Sequence, residues 1–110
     1  MYNYKKIMNK LHKFQNDIYS PSTGDILIGQ YTQDIIPMGF NETFIELQQE
    51  NNTLYIEKDP SLTHALTKAN ASVGDHIAIK VGKQHNFTKW SIKSYHFHVI
   101  KVQKVNGEYE

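Results

Sequence analysis

Lysine and aromatic residues are interleaved along the last third of the chain, in a stretch that carries no carboxylate. Residues 76–107 contain six lysines and neither aspartate nor glutamate. Within this stretch the residues Lys83, Phe87, Lys89, Trp90 and Lys93 follow one another closely. Lysine side chains can bind the phosphates of a polyanion, and aromatic rings can stack on planar bases. The stretch therefore predicts binding of a negatively charged polymer that carries bases.

The net charge of +1 conceals an uneven distribution of charge along the chain. Residues 1–13 carry +4 and residues 14–75 carry −7, whereas residues 76–107 carry +6. A basic region of this size can attract a polyanion even when the whole chain is nearly neutral. The alternative is that these lysines form only a solvated surface.

Patterns typical of catalysis or metal binding are weaker. Four histidines could together form a zinc site, namely His76, His85, His96 and His98. A His-x-His pair without a third well-spaced ligand is, however, more often part of a polar strand face. The chain has no cysteine and no complete glycine-rich phosphate loop, and no pair of carboxylates has a spacing typical of acid–base catalysis. We therefore expect no enzyme activity, no metal and no cofactor.

The first twenty residues and the remainder of the chain have different apolar periods. Helical spacing from Tyr4 to Ile18 predicts an amphipathic helix over residues 3–18, followed by the turn-forming residues 20–24. We assign residues 1–20 to this N-terminal helix and residues 24–105 to the main domain. The sequence does not indicate whether the helix packs on its own domain or on a neighbouring molecule.

From residue 25 the apolar period is two, which is typical of strands. Asp59 and Pro60 are typical of a helix N-cap and first helical position, so a helix is expected after the third strand. Gly29 predicts a bend or bulge in the first strand. Residues 82–93 are expected to form a loop or a flexible hairpin tip. The five predicted strands cover residues 25–32, 43–48, 53–58, 76–81 and 94–102.

The length of 110 residues fits one domain. No apolar run approaches the ~20 residues that a membrane-spanning helix needs. The first residues also lack the apolar core of a signal peptide. We therefore expect a cytoplasmic protein that does not bind membranes.

The predicted order β-β-β-α-β-β fits an all-β fold with helices, namely a five-stranded Greek-key barrel of the OB-fold class. The stretch Val73–Lys80 looks like the entry to the fourth strand in single-stranded DNA-binding proteins, and the lysine- and aromatic-rich stretch after it adds to the likeness. Over residues 24–105 the chain thus resembles the small single-stranded DNA-binding proteins of phages, plasmids and staphylococcal cassette elements. This resemblance implies largely sequence-independent DNA binding in the replication or transfer of a mobile genetic element.

Strand alternation places Phe44 and Tyr55 on the outer face of the second and third strands, where OB-folds bind nucleic acid. The alternative is that these rings pack beneath the N-terminal helix. Trp90 either stacks on bases or plugs the end of the barrel, and Tyr95 could serve either surface. The candidate nucleic-acid-binding residues are Tyr31, Phe44, Tyr55, Lys80, Lys83, Phe87, Lys89, Trp90, Lys93, Tyr95 and Lys101.

Two other functions stay open at this stage. The same barrel could be a protein-interaction adaptor for a replication enzyme such as a helicase or primase, and the acidic residues 14–75 and the apolar stripe of the first helix favour that interpretation. It could also be an RNA-binding OB domain. A homo-oligomer is compatible with either function.

Overall fold

Alternating apolar side chains build a sheet from residue 26 onwards. The computed structural model describes residues 17–87 and 92–110, with the side chains of residues 86, 87, 92 and 93 outside the description. The predicted order of strands and helix is confirmed, and a short hairpin follows it. The elements are β1 (Ile26–Ile35), β2 (Phe44–Gln48), β3 (Thr53–Glu57), α1 (Pro60–Lys68), β4 (His76–Phe87), β5 (Ile92–Lys101), β6 (Lys104–Val105) and β7 (Glu108–Tyr109).

Strands β1 to β5 form one antiparallel sheet in the order β3-β2-β1-β4-β5. After β3 the chain passes through α1 and returns to lie beside β1, which is the connection that defines a Greek key. Within the described ranges no ladder joins β3 to β5. The sheet therefore has the predicted Greek-key connectivity, with β3 and β5 as its two edges.

Strand β1 pairs with different neighbours along its two halves. Residues 26–30 pair with β4, and residues 30–35 pair with β2. The bulge predicted at Gly29 lies instead between Tyr31 and Gln33. Gly29 has a different role, because a Cβ at this position would lie 2.6 Å from the carbonyl oxygen of Gln48. The missing side chain lets β2 approach β1 closely.

The core lies against one face of the sheet and is covered by α1. Asp59 caps the helix as predicted, since its Oδ1 accepts a hydrogen bond from the Leu62 amide at 2.8 Å. The apolar stripe of the helix belongs to one buried cluster with alternating side chains of all five strands. The buried residues of this cluster are Leu27, Tyr31, Ile45, Leu47, Ile56, Leu62, Ala65, Leu66, Ile77, Ile79 and Val99.

The β4–β5 hairpin is longer than the sequence suggests. The alternation of apolar residues ends at Val81, but the backbone of β4 continues to Phe87 and β5 begins at Ile92. The register shifts between Val81 and Gln84, where β4 has one residue more than β5. Of the two predictions for residues 82–93, the described backbone supports the hairpin.

Most of the predicted N-terminal helix lies outside the described residues. Its last two residues are an exception, and the prediction is wrong for them. Asp17 lies in a turn, and Ile18 forms a parallel bridge with Tyr55 on the edge of β3. The Tyr19 amide donates to the Tyr55 carbonyl at 2.8 Å, and the Tyr55 amide donates to the Asp17 carbonyl at 3.1 Å. No helix in the described ranges has the length and apolar character that a membrane crossing requires.

Replacement of Gly29 by alanine should destabilise the fold by about 1–3 kcal/mol, because the new methyl group would press on the β2 backbone. Urea unfolding measures the effect. Gly82→Ala is the matched control, since its Cβ would lie 3.2 Å from the nearest atom and should cost less. A Gly29→Ala protein as stable as the original would contradict the close approach of β1 and β2.

Candidate nucleic-acid interface

Two of the predicted lysines, Lys80 and Lys83, are exposed on strand β4. Lys80 is exposed on β4, where it is paired with Ile26 of β1 on one side and with His98 of β5 on the other. Lys83 is exposed in the region of the β4 bulge. Neither ammonium group makes a hydrogen bond or ion pair with any residue of the described ranges. Both are therefore available to an anionic ligand.

Lys101 has a different environment from Lys80. It pairs with Ile77, whose side chain is buried, so it belongs to the other side of the sheet from Lys80. Its Nζ also lies 3.9 Å from Oδ2 of Asp75. Because Lys80 and Lys101 lie on opposite sides of the sheet, the predicted lysines do not form one continuous surface. Asp75, which lies outside the basic stretch, also partly neutralises Lys101.

The predicted stacking surface on β1 and β2 is not exposed. Tyr31 is 3 % exposed and belongs to the core, and Phe44 is 5 % exposed. The ring of Phe44 meets the ring of Phe40 edge-on, with centroids 5.4 Å apart. Phe44 is therefore buried and not exposed as predicted, and in this conformation neither ring presents a face to a base.

Tyr55 and Tyr95 are half-buried on the two edge strands. The backbone of Tyr55 binds residues 17 and 19, and burial, with nearby Glu46 and Asp17, raises the pKa of its side chain. Tyr95 lines a cleft of about 240 Å³ between β3 and β5, together with Tyr19 and Phe97. Tyr95 thus lies beside the gap between the edge strands, whereas Tyr55 is not among the residues that line it.

The remaining predicted contacts fall wholly or partly outside the described residues. Lys89 and Trp90 lie outside the described residues, as do the side chains of Phe87 and Lys93. The backbone places Phe87 opposite Ile92, and it places Lys93 opposite Asn86. The roles of these four residues therefore stay predictions, and only the backbone positions of Phe87 and Lys93 are given.

A partly exposed ion pair that the sequence did not suggest holds the buried Tyr31 in place. Lys58 donates to Oδ2 of Asp34 at 2.8 Å and to the Tyr31 hydroxyl at 3.3 Å, while that hydroxyl donates to Oδ1 of Asp34. The hydrogen bond to Asp34 raises the pKa of Lys58, and burial, followed by the bond to Asp34, raises the pKa of Tyr31. This cluster fixes Tyr31 as a structural residue.

A histidine-lined pocket was also missed. His85 and His96 stack on the hairpin with ring centroids 4.0 Å apart, and His64 of α1 lines the same pocket. Within residues 17–87 and 92–110, no three histidine or acidic residues are grouped closely enough to hold a metal ion. Of the four histidines considered from the sequence, His85 and His96 line this pocket, whereas His64 was not among them.

Tyr19 closes one side of the β3–β5 cleft and gives a test of this geometry. Its hydroxyl donates to Oδ2 of Asp25 at 2.5 Å, and burial, followed by this bond, raises its pKa to about 12. An unfolded tyrosine titrates near 10. Between these values the folded protein binds more protons than the unfolded chain, so stability falls as pH rises.

We therefore expect Tyr19→Phe to flatten the loss of stability between about pH 10 and 12. Near neutral pH the variant should be less stable by about 1 kcal/mol, since one hydrogen bond is lost. Urea unfolding should show that the difference in free energy of unfolding between the original protein and the variant becomes smaller as pH rises from 10 to 12. If the stability of both proteins fell equally with pH, the pKa of Tyr19 would be the same in the folded and unfolded states.

Comparison with known proteins gives no match to a family model, to a curated protein or to a solved structure. The chemistry of the chain is therefore argued from its own residues. The features from which a function can be argued are the exposed lysines Lys80 and Lys83, the half-buried Tyr95 beside the cleft and the histidine pocket.

Proposed function

We propose that this chain is a non-catalytic single-stranded DNA-binding protein with an OB-type barrel. It binds largely without regard to sequence and acts in the replication or transfer of a mobile genetic element. The observation that carries the proposal is the place of the acid-free residues 76–107. Their described part includes β4 and β5, and the connection between these strands would correspond to the loop with which OB-folds bind oligonucleotides.

The barrel assignment is supported by the connectivity of the sheet. A Greek key of five strands with a helix between the third and fourth strands fits the OB-fold order. The buried side chains of all five strands meet α1 on one face, as in a sheet that curves around its core. We infer that residues 17–19 occupy the gap between β3 and β5 in place of a direct pairing of those strands.

Binding would combine two kinds of contact along the hairpin. Lys80 and Lys83 are exposed and lack acidic partners among the described residues, so they are suited to phosphate groups. Phosphate contacts position a strand but carry no base information. The aromatic residues Phe87 and Trp90, which follow in the sequence, would stack on bases irrespective of their identity. The combination predicts affinity with little sequence preference.

A second candidate function is favoured by an apolar row on the outer face of the sheet. Ile28 pairs with Ala78, which pairs with Ile100, and the two isoleucines are 36 % and 48 % exposed. Ile26 extends this row and is 61 % exposed. Adjacent exposed apolar side chains are typical of protein contacts. The same domain could therefore be an adaptor that binds a replication protein through β1, β4 and β5.

The proposal is tested by titrating labelled oligothymidine with the protein at several salt concentrations and following fluorescence anisotropy. The logarithm of affinity should fall with the logarithm of salt, by about 0.7 for each phosphate contacted. The double variant Lys80→Ala, Lys83→Ala should flatten this slope by about 1.4 if each lysine neutralises one phosphate. Lys68→Ala, an exposed lysine at the end of α1, is the control and should leave the slope unchanged.

The result separates the candidate functions. An oligothymidine that does not bind even at low salt would remove the DNA-binding proposal and favour the adaptor. Tighter binding of an oligouridine of equal length would identify RNA as the ligand. Binding with an unchanged slope in the double variant would show that the phosphates meet other residues.

A further inference from the structure

A pocket of about 580 Å³ lies between the start of α1 and the β4–β5 hairpin. His64 and Ser61 line it from the helix, and His85, Ser94 and His96 line it from the hairpin, with Asp59 at the helix N-cap. A volume of this size falls in the range of pockets that hold small organic ligands. Histidine supplies three of the residues that line it, so flat imidazole rings make up much of its wall.

The β4 bulge brings two of these rings together. Val81 pairs with Phe97, whereas Gln84 pairs with Tyr95, so one extra residue of β4 lies between the two pairs. A shift of one residue moves every following side chain to the other face of the strand. His85 thereby lies on the same side as His96, and the two rings stack at 4.0 Å with an angle of 21° between their planes.

Gly82 lies close to His96 across this hairpin. A Cβ at this position would lie 3.2 Å from the carbonyl oxygen of His96 and 3.3 Å from its Cβ. These separations are tighter than ordinary van der Waals contact. The hairpin therefore brings the backbone close to His96 on one side, and the ring of His96 is left exposed towards the pocket and solvent.

The other polar groups of the pocket are already engaged. Asp59 accepts hydrogen bonds from the Leu62 amide at 2.8 Å and from the Ser94 hydroxyl at 3.1 Å. The Ser61 hydroxyl donates to the Tyr95 carbonyl at 2.6 Å. By contrast, His64 and His96 form no hydrogen bond with any described residue. The imidazoles are thus the groups that a ligand would meet.

The composition of the wall favours an uncharged flat ligand. Among the described residues that line the pocket there is no lysine, and the carboxylate of Asp59 would repel a phosphate. In a stacked pair each ring uses one face, so the exposed ring of His96 keeps its second face for a further planar group. Histidine is one of the side chains on which unpaired bases stack. The edge of an imidazole also offers a donor or an acceptor to a base.

We propose that this pocket is a nucleobase site, in which one base of the bound strand stacks on the His96–His85 pair beside His64. The inference rests on the proposed function, because it assigns a base-binding site to the same single strand. The pocket lies on the β4–β5 hairpin, whose free lysines Lys80 and Lys83 would hold the adjoining phosphates. Base and phosphate contacts would then belong to different side chains of one hairpin.

The test compares two probes, oligothymidine and an abasic deoxyribose-phosphate strand of equal length. His96→Ala should weaken oligothymidine binding by roughly 5- to 150-fold, the loss expected for one stacked base. His96→Phe should restore most of the affinity, since a planar ring remains. His98→Ala is the matched control, because His98 is an exposed histidine on the same side of β5 but outside the pocket.

The abasic strand distinguishes stacking from charge. It should bind the His96→Ala variant and the original protein equally, and the salt slope for oligothymidine should be unchanged by the substitution. Equal affinity of His96→Ala and the original protein for oligothymidine would overturn the nucleobase site and leave DNA binding intact. An equal loss on both probes would also overturn it, because His96 would then bind phosphate. Failure of the original protein to bind either probe would remove the proposed function itself.

Discussion

The fold depends on a change of partner within β1. Residues 26–30 pair with β4, and residues 30–35 pair with β2, so three strands meet at the centre of β1. Gly29 lies at this meeting point, where a Cβ would fall 2.6 Å from the backbone of β2. The close approach aligns Leu27 and Tyr31 with the buried residues of both neighbours. If β1 could not serve both partners, α1 would have no continuous surface on which to bury Leu62 and Leu66.

The sequence predicts those elements whose signals are local. Strand β3 and the Asp59 cap were predicted within one residue, because apolar alternation and an N-cap followed by proline are properties of neighbouring residues. The extension of β4 to Phe87 was not, since its polar residues follow no apolar pattern and are held by pairing with β5. The β6–β7 hairpin had a signal in Asn106-Gly107, whose φ angles of 51° and 83° suit a tight turn.

The site is less predictable than the fold because single-residue shifts decide it. Alternation from Val81 would place His85 on the buried side of β4, and one extra residue reverses this and places it beside His96. Phe44 shows the complementary case. Its position in β2 was predicted, but its exposure is only 5 %. It lines the β3–β5 cleft together with residues distant in the sequence, such as Tyr19 and Tyr95. Neither the side of β4 on which His85 lies nor the burial of Phe44 can be predicted from the pattern of neighbouring residues.

The distribution of acids decides which part of the sheet can bind a polyanion. OB-folds use the face of the second and third strands, but here that region carries acidic groups. Burial, with Asp59 and Glu42 nearby, raises the pKa of Glu57, and Glu46 contributes to the raised pKa of Tyr55. Carboxylates close enough to shift neighbouring groups would also repel phosphates. The β4–β5 hairpin contains no acid, and Lys80 and Lys83 form no ion pair with any described carboxylate. Electrostatics would therefore favour the hairpin over the β2–β3 face for the proposed single strand.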